Sequence, residues 1–75
     1  MRKDQTTKLK PYGKGELAQM YFPDASPKWA LRLFNRELHN VRGLIMRLRR
    51  RGWTPSARFL RKEWVRIIFE AIEPP

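Results

Sequence analysis

Apolar side chains recur along this chain at the three- and four-residue spacing of amphipathic helices, in four separate segments. The first predicted helix is short, about residues 15–21. The second runs from Pro27 to about Leu38, because Ser26 can cap it and proline suits the first helical position. The apolar stripes of these two helices are Leu17, Ala18 and Tyr21, then Ala30, Leu33, Phe34 and Leu38.

Two further helices are predicted in the second half of the chain. Asn40 is the expected cap of the third, residues 41–51, and Gly52 is the residue type expected just past its end. The fourth spans about residues 61–72 and ends before Pro74. The predicted core faces are Val41, Leu44, Ile45 and Leu48 in the third helix and Val65, Ile68, Phe69 and Ile72 in the fourth, with Trp64 beside them.

Four short helices joined by tight links predict an all-α fold, a compact bundle within one domain over residues 12–75. Residues 1–11 lack apolar periodicity and are predicted to form a basic, loosely ordered arm. Residues 15–38 have the outline of a helix-turn-helix unit, with a short helix, a break and a capped helix. The break contains Phe22-Pro23 instead of the glycine often found in such turns.

Charge adds most to this picture. Seventeen Lys and Arg against seven Asp and Glu give the chain a net charge of +10. Eight basic residues and one acidic residue give residues 28–51 a net charge of +7. So basic a domain predicts an anionic partner, above all nucleic acid. Charge that serves solubility alone and binding at a membrane surface are the alternatives.

The polar face of the second predicted helix is the sharpest candidate site. Five polar residues fall within about a quarter of the helix circumference, away from the apolar stripe. They are Lys28, Arg32, Asn35, Arg36 and His39. Arginine and asparagine can bond base edges, while lysine and histidine suit phosphates. The alternative is an ordinary solvated face, but such a face usually mixes charge signs, and no acidic residue interrupts this one.

The third predicted helix carries a second basic group, which is spread around the helix. Its members are Arg42, Arg47, Arg49, Arg50 and Arg51. We expect them to contact phosphates rather than to read bases. Pairing with the negative end of the helix dipole is the alternative for one or two of them.

Other functional classes lack the residues they need. The chain has no cysteine, one histidine and no glycine-rich phosphate loop, so we expect no enzyme activity, no metal and no cofactor. No apolar run approaches the ~18 residues of a membrane-spanning helix. No secretory signal is visible either, and the expected location is cytoplasmic without membrane contact.

A sequence resemblance covers nearly the whole chain from Tyr12. The string Tyr12-Gly13-Lys14-Gly15-Glu16-Leu17-Ala18, followed by Tyr21-Phe22-Pro23, resembles the signature of a family of short bacterial proteins. That family is known mainly from gut anaerobes and is grouped as a domain of unknown function. Its members commonly have Ser at position 15 and Thr-Pro at positions 61–62, which predicts weaker caps for the first and fourth helices here. The resemblance implies a compact intracellular domain and no particular activity.

Double-stranded DNA is therefore the expected partner of a small regulatory or architectural protein. One alternative is a protein-interaction or assembly adaptor that uses the aromatic surface of Trp29, Trp53 and Trp64. A second copy of the chain is an alternative protein partner. Another is an RNA-binding module whose aromatic residues stack on bases. Because the tryptophans lie beside the apolar stripes, packing is their expected role.

Overall fold

The structure, a computed structural model, describes residues 8–75 as four helices and one small sheet. The elements in chain order are β1 (Tyr12–Gly13), α1 (Lys14–Tyr21), α2 (Pro27–Asn40), α3 (Leu44–Arg50), β2 (Phe59–Leu60) and α4 (Lys62–Ala71). The predicted all-α bundle of four short helices is confirmed, with a two-stranded sheet in addition. Residues 1–7 of the predicted basic arm lie outside the described residues.

The predicted start of α2 is confirmed in detail. Ser26 Oγ accepts a hydrogen bond from the Trp29 backbone N–H at 3.3 Å, and Pro27 occupies the first helical position. This cap satisfies one of the otherwise unpaired N–H groups of the first turn. The helix continues to Asn40, two residues beyond its predicted end at Leu38.

The prediction that Asn40 caps the third helix is wrong, because Asn40 is the last residue of α2. Helix α3 begins only at Leu44, after Gly43, whose φ of 81° is left-handed. Glycine adopts this conformation without the steric cost that a side chain would add, so the chain can turn sharply between α2 and α3. The periodic apolar residues of this segment run through the turn, which is why their spacing alone predicted a longer helix.

The predicted end of α3 at Gly52 is confirmed. Gly52 has a φ of 90°, and its N–H donates to the Arg49 carbonyl at 3.0 Å. The next N–H, that of Trp53, donates to the Leu48 carbonyl at 3.1 Å. This pair of bonds is the Schellman motif, which satisfies carbonyls at a helix end and redirects the chain.

Helix α1 is capped differently from the sequence-based expectation. Gly13 is its N-cap, and the Glu16 carboxylate accepts the Gly13 N–H at 3.2 Å. Gly15 lies within the first turn, so glycine in place of serine there does not remove the cap. At α4 the N-cap is Arg61, which makes no side-chain capping bond.

A single core joins all four helices and the sheet. Six residues of the predicted core faces are buried in one cluster, namely Ala30, Phe34, Leu44, Leu48, Val65 and Ile68. Tyr12, Trp53, Leu60 and Trp64 belong to the same cluster. Phe69 and Ile72 were predicted on the core face of the fourth helix but are only partly buried at the edge of the cluster.

The small sheet ties the beginning of the described chain to the segment before α4. Tyr12 pairs with Leu60 and Gly13 with Phe59 in antiparallel register. The Lys14 N–H continues the contact by donating to the Arg58 carbonyl at 2.8 Å. Strands of two residues are too short for alternation to reveal them, so no pattern along the chain predicted this pairing.

Candidate nucleic-acid interface

The five candidate residues of α2 lie along one side of the helix, opposite its buried stripe. Lys28, Arg32, Arg36 and His39 are exposed, and Asn35 is half-buried. At 1.5 Å per residue the row extends about 16 Å along the helix. Because Ala30, Phe34 and Leu38 hold the opposite side in the core, the whole row faces outward. We call these five residues the α2 face.

Two contacts organise side chains on the α2 face. His39 Nδ1 lies 2.9 Å from the Asn35 backbone carbonyl, so that nitrogen donates to the oxygen when it carries its proton. The Arg32 guanidinium lies over the Trp29 ring, 5.6 Å from the ring centroid. Such a cation–π contact restricts an otherwise mobile arginine and leaves its charge at the surface.

The predicted arginines of the third helix divide into two groups. Arg42 precedes α3 and Arg49 lies on it, and both line a shallow cleft together with His39. This group continues the α2 face from its C-terminal end across the turn at Gly43. The apolar residues Ile45 and Met46 lie in the same cleft, and the Met46 side chain is 62% exposed.

The second group faces α4. Arg47, Arg50 and Arg51 line a cleft of about 370 Å³ whose opposite wall includes Arg66, Glu63 and Glu70 of α4. Arg47 Nη2 donates to Glu70 Oε1 at 3.2 Å, and both side chains are about half exposed. This exposed ion pair offsets part of the Arg47 charge locally.

Arg66 is the one basic residue of this cleft that was not among the predicted site residues. Its helix is nearly neutral overall, which concealed that it stands opposite the arginines of α3. Only the packing of α3 against α4 brings these residues together. The spacing of residues along α3 or along α4 does not indicate that the side chains of the two helices meet.

The three tryptophans do not form one aromatic surface. Trp53 and Trp64 belong to the core, and Trp64 Nε1 donates to the Arg51 carbonyl at 2.9 Å. Trp29 is 52% exposed in the first turn of α2, beside the α2 face. The prediction that the tryptophans pack in the core is therefore confirmed for Trp53 and Trp64, and it is wrong for Trp29.

Lys14 is buried, in contrast to the other described basic residues. Lys14 Nζ donates to the Pro55 carbonyl at 3.2 Å and lies 5.7 Å from the centroid of the Trp53 ring. Burial lowers the pKa of this amine from its ordinary value. Its contacts hold the start of α1 against the loop after α3, so Lys14 does not belong to the basic surface.

Within residues 8–75, no group of three or more His, Cys, Asp or Glu side chains is placed to hold a metal ion. None of the helices in this part of the chain is long and apolar enough to cross a membrane.

Comparison with known proteins gives a family without a defined activity. Residues 8–75 match the family model described as Domain of unknown function (DUF4248), and the chain belongs to this family. Neither the curated proteins nor the solved structures contain a match to the chain.

Proposed function

We propose that this chain is a DNA-binding protein that contacts double-stranded DNA through the α2 face. The observation that carries the proposal is the outward orientation of the whole face, in which three cations are exposed and no carboxylate intervenes. A domain with a net charge of +10 attracts the DNA backbone, and a long exposed helix is the element that most often enters the major groove. The proposal includes a cytoplasmic location, where the DNA would be accessible.

In this arrangement α1 and α2 act as a helix-turn-helix-like unit. Helix α1 packs against α2 on the side away from the α2 face, and the rings of Tyr21 and Phe34 stack with centroids 5.6 Å apart. This packing leaves α2 free to enter a groove about 12 Å wide. Arg32 and Arg36 then approach base edges, and Lys28 and His39 at the two ends of the row approach phosphates.

The residues around the α2–α3 turn extend this contact. Arg42 and Arg49 adjoin His39 and lie where a DNA strand leaving the α2 face would pass. Arg50 and Arg51 lie in the separate cleft toward α4, so they would contact a more distant phosphate. The basic surface therefore has a central part on α2 and a peripheral part on α3.

The proposal is tested by measuring the binding of a random-sequence duplex over a series of salt concentrations. Affinity should fall steeply with salt, because each neutralised phosphate contributes a slope of about −0.9 on logarithmic axes. The double variant Lys28→Gln/Arg42→Gln removes two exposed cations assigned to phosphates, so it should flatten the slope by about two units, one for each lost contact.

The matched control is Arg58→Gln/Lys62→Gln, which removes two exposed cations outside the α2 face. Both variants have the same net charge, so a general charge effect would weaken them equally. A selective loss in the Lys28/Arg42 variant supports the proposal, and equal losses or negligible DNA binding by the parent contradict it.

A protein-interaction adaptor is the second candidate function. Its support is that three large apolar side chains, those of Trp29, Met46 and Phe59, are more than half exposed. They lie on three different elements and thus offer small separate contacts rather than one patch. Negligible affinity for duplex DNA at low salt would favour this role.

A further inference from the structure

A groove runs beside the N-terminal half of α2, between the α1–α2 turn and Trp29. It has a volume of about 440 Å³, and its walls include Phe22 and Pro23 from the turn and Trp29 and Leu33 from α2. Asp24 is an exposed residue of the same lining. Large aromatic residues are usually well buried, so a tryptophan that is 52% exposed at the edge of an apolar groove requires an explanation.

We propose that this groove binds a single unstacked nucleobase, with Trp29 as the stacking residue. The inference rests on the proposed function and specifies its target as DNA that contains an unpaired or flipped nucleotide. Nucleobases that leave a duplex are bound by stacking on aromatic side chains, and Trp29 and Phe22 supply two such rings.

Charge around the groove favours a nucleotide over an apolar peptide. Lys28 precedes Trp29 in the chain, and the Arg32 guanidinium lies 5.6 Å from its ring centroid, so cations flank the tryptophan. Lys28 can bind a phosphate beside an extruded base. Asp24 repels a phosphate from the groove itself, while its carboxylate can accept hydrogen bonds from base N–H groups.

A fully paired duplex cannot use this groove. Its bases are stacked on each other, so only their edges are presented to a protein. A base that is already unpaired avoids the unstacking cost that extrusion from a paired duplex requires. The α2 face would thus supply affinity for DNA in general, and Trp29 would supply preference for an unpaired nucleotide.

The test compares a fully paired duplex with the same duplex carrying one bulged nucleotide. Binding is followed by anisotropy of labelled DNA and by the protein's own tryptophan emission. Since Trp53 and Trp64 are buried in the core, a change in emission on binding reports mainly on Trp29. We expect tighter binding of the bulged duplex, accompanied by quenching of the emission.

Substitution of Trp29 provides the decisive comparison. Trp29→Ala should weaken binding of the bulged duplex about 5- to 100-fold, the effect of losing one base–aromatic stack, and that of the paired duplex less than about twofold. Trp29→Phe should recover much of the loss because it restores a stacking ring. Phe59→Ala, which removes an equally exposed aromatic ring in β2, should change neither affinity.

The outcomes separate this inference from the proposed function. If the paired duplex binds with steep salt dependence and Trp29→Ala leaves the bulged duplex unaffected, the inference is wrong and the DNA-binding proposal stands. Equal weakening of both duplexes, or unchanged emission, also overturns it. If the parent binds neither duplex, the proposed function fails and the inference fails with it.

Discussion

Phe34 is a large buried side chain through which two helices contact each other. It projects from α2, is fully buried, and stacks on Tyr21 of α1. A chain of 75 residues buries a small core and has little stability in reserve. Losing a large buried ring therefore removes a substantial part of the total free energy of unfolding.

Phe34→Ala should lower the free energy of unfolding by about 3–5 kcal/mol, through lost burial and the cavity that remains. Urea denaturation followed by circular dichroism measures the change. Leu33→Ala, at a half-buried neighbouring position, is the control and should cost less. A variant at Phe34 that unfolds at the parent's midpoint would contradict the packing described here.

Lys14 gives a prediction about pH. Burial lowers the pKa of its amine below the ordinary value of 10.5, so the folded chain releases this proton at a lower pH than the unfolded chain does. Where the unfolded state binds more protons, stability rises with pH. The contribution of Lys14 to the free energy of unfolding should therefore become more favourable as the pH rises from the folded pKa toward 10.5.

The measurement compares the parent with Lys14→Met between about pH 7 and pH 10, where lysine amines begin to titrate. The free energy of unfolding of the parent minus that of the variant should increase as the pH rises. Burial also raises the pKa of Tyr21, but this effect is present in both proteins and cancels in the difference. Lys62→Met, at an exposed position, should give a flat difference, and a flat result for Lys14→Met would refute the prediction.

At the scale of elements, α2 and α3 carry similar charge in different settings. The cations of α2 form one outward row, whereas those of α3 are divided between the α2–α3 cleft and the cleft against α4. In the proposed function, the row on α2 follows a groove and the arginines around the end of α3 contact phosphates. The two elements should therefore contribute differently to DNA binding.

Single substitutions distinguish the two roles. Arg32→Ala should weaken binding to a selected DNA site by about 1–3 kcal/mol and relax the sequence preference at one base pair. Arg50→Ala should weaken all sequences alike and flatten the salt dependence by about one unit. Binding to a selected site and to random duplex measures both effects. The assignment fails if Arg32→Ala affects the two duplexes equally while Arg50→Ala alters the preference.

At the scale of the whole molecule, one core holds every element together. The radius of gyration is 11.6 Å, close to the ~11 Å of a compact domain of this length. The core includes residues of all four helices and of both strands, so secondary structure and tertiary packing should form together. The described residues contain no candidate metal cluster that could support the fold in place of this core.

We therefore predict that folding is independent of metal ions. The far-ultraviolet circular dichroism spectrum and the thermal midpoint should be the same with and without a chelator, because apolar burial supplies the stability. A heat-stable helical domain of similar size that binds zinc serves as the positive control for chelation. Loss of helicity on chelation would show that a metal site contributes to the fold.

The sequence by itself determined the features that depend on neighbours along the chain. The apolar spacing located four helices, Ser26-Pro27 located the start of α2, and Gly52 located the end of α3. These signals are reliable because a cap or a helical stripe involves residues a few positions apart. The orientation of the α2 face followed from the same periodicity, since the core holds the opposite stripe.

Only the tertiary structure decided which distant residues meet. It placed Gly43 in the turn that shortens α3, paired β1 with β2, and buried Lys14 beneath Trp53 and Pro55. It also divided the α3 arginines between two clefts and left Trp29 exposed while the other two tryptophans entered the core. Each outcome depends on how elements far apart in the chain pack against each other, and periodicity within one segment contains no information about that packing.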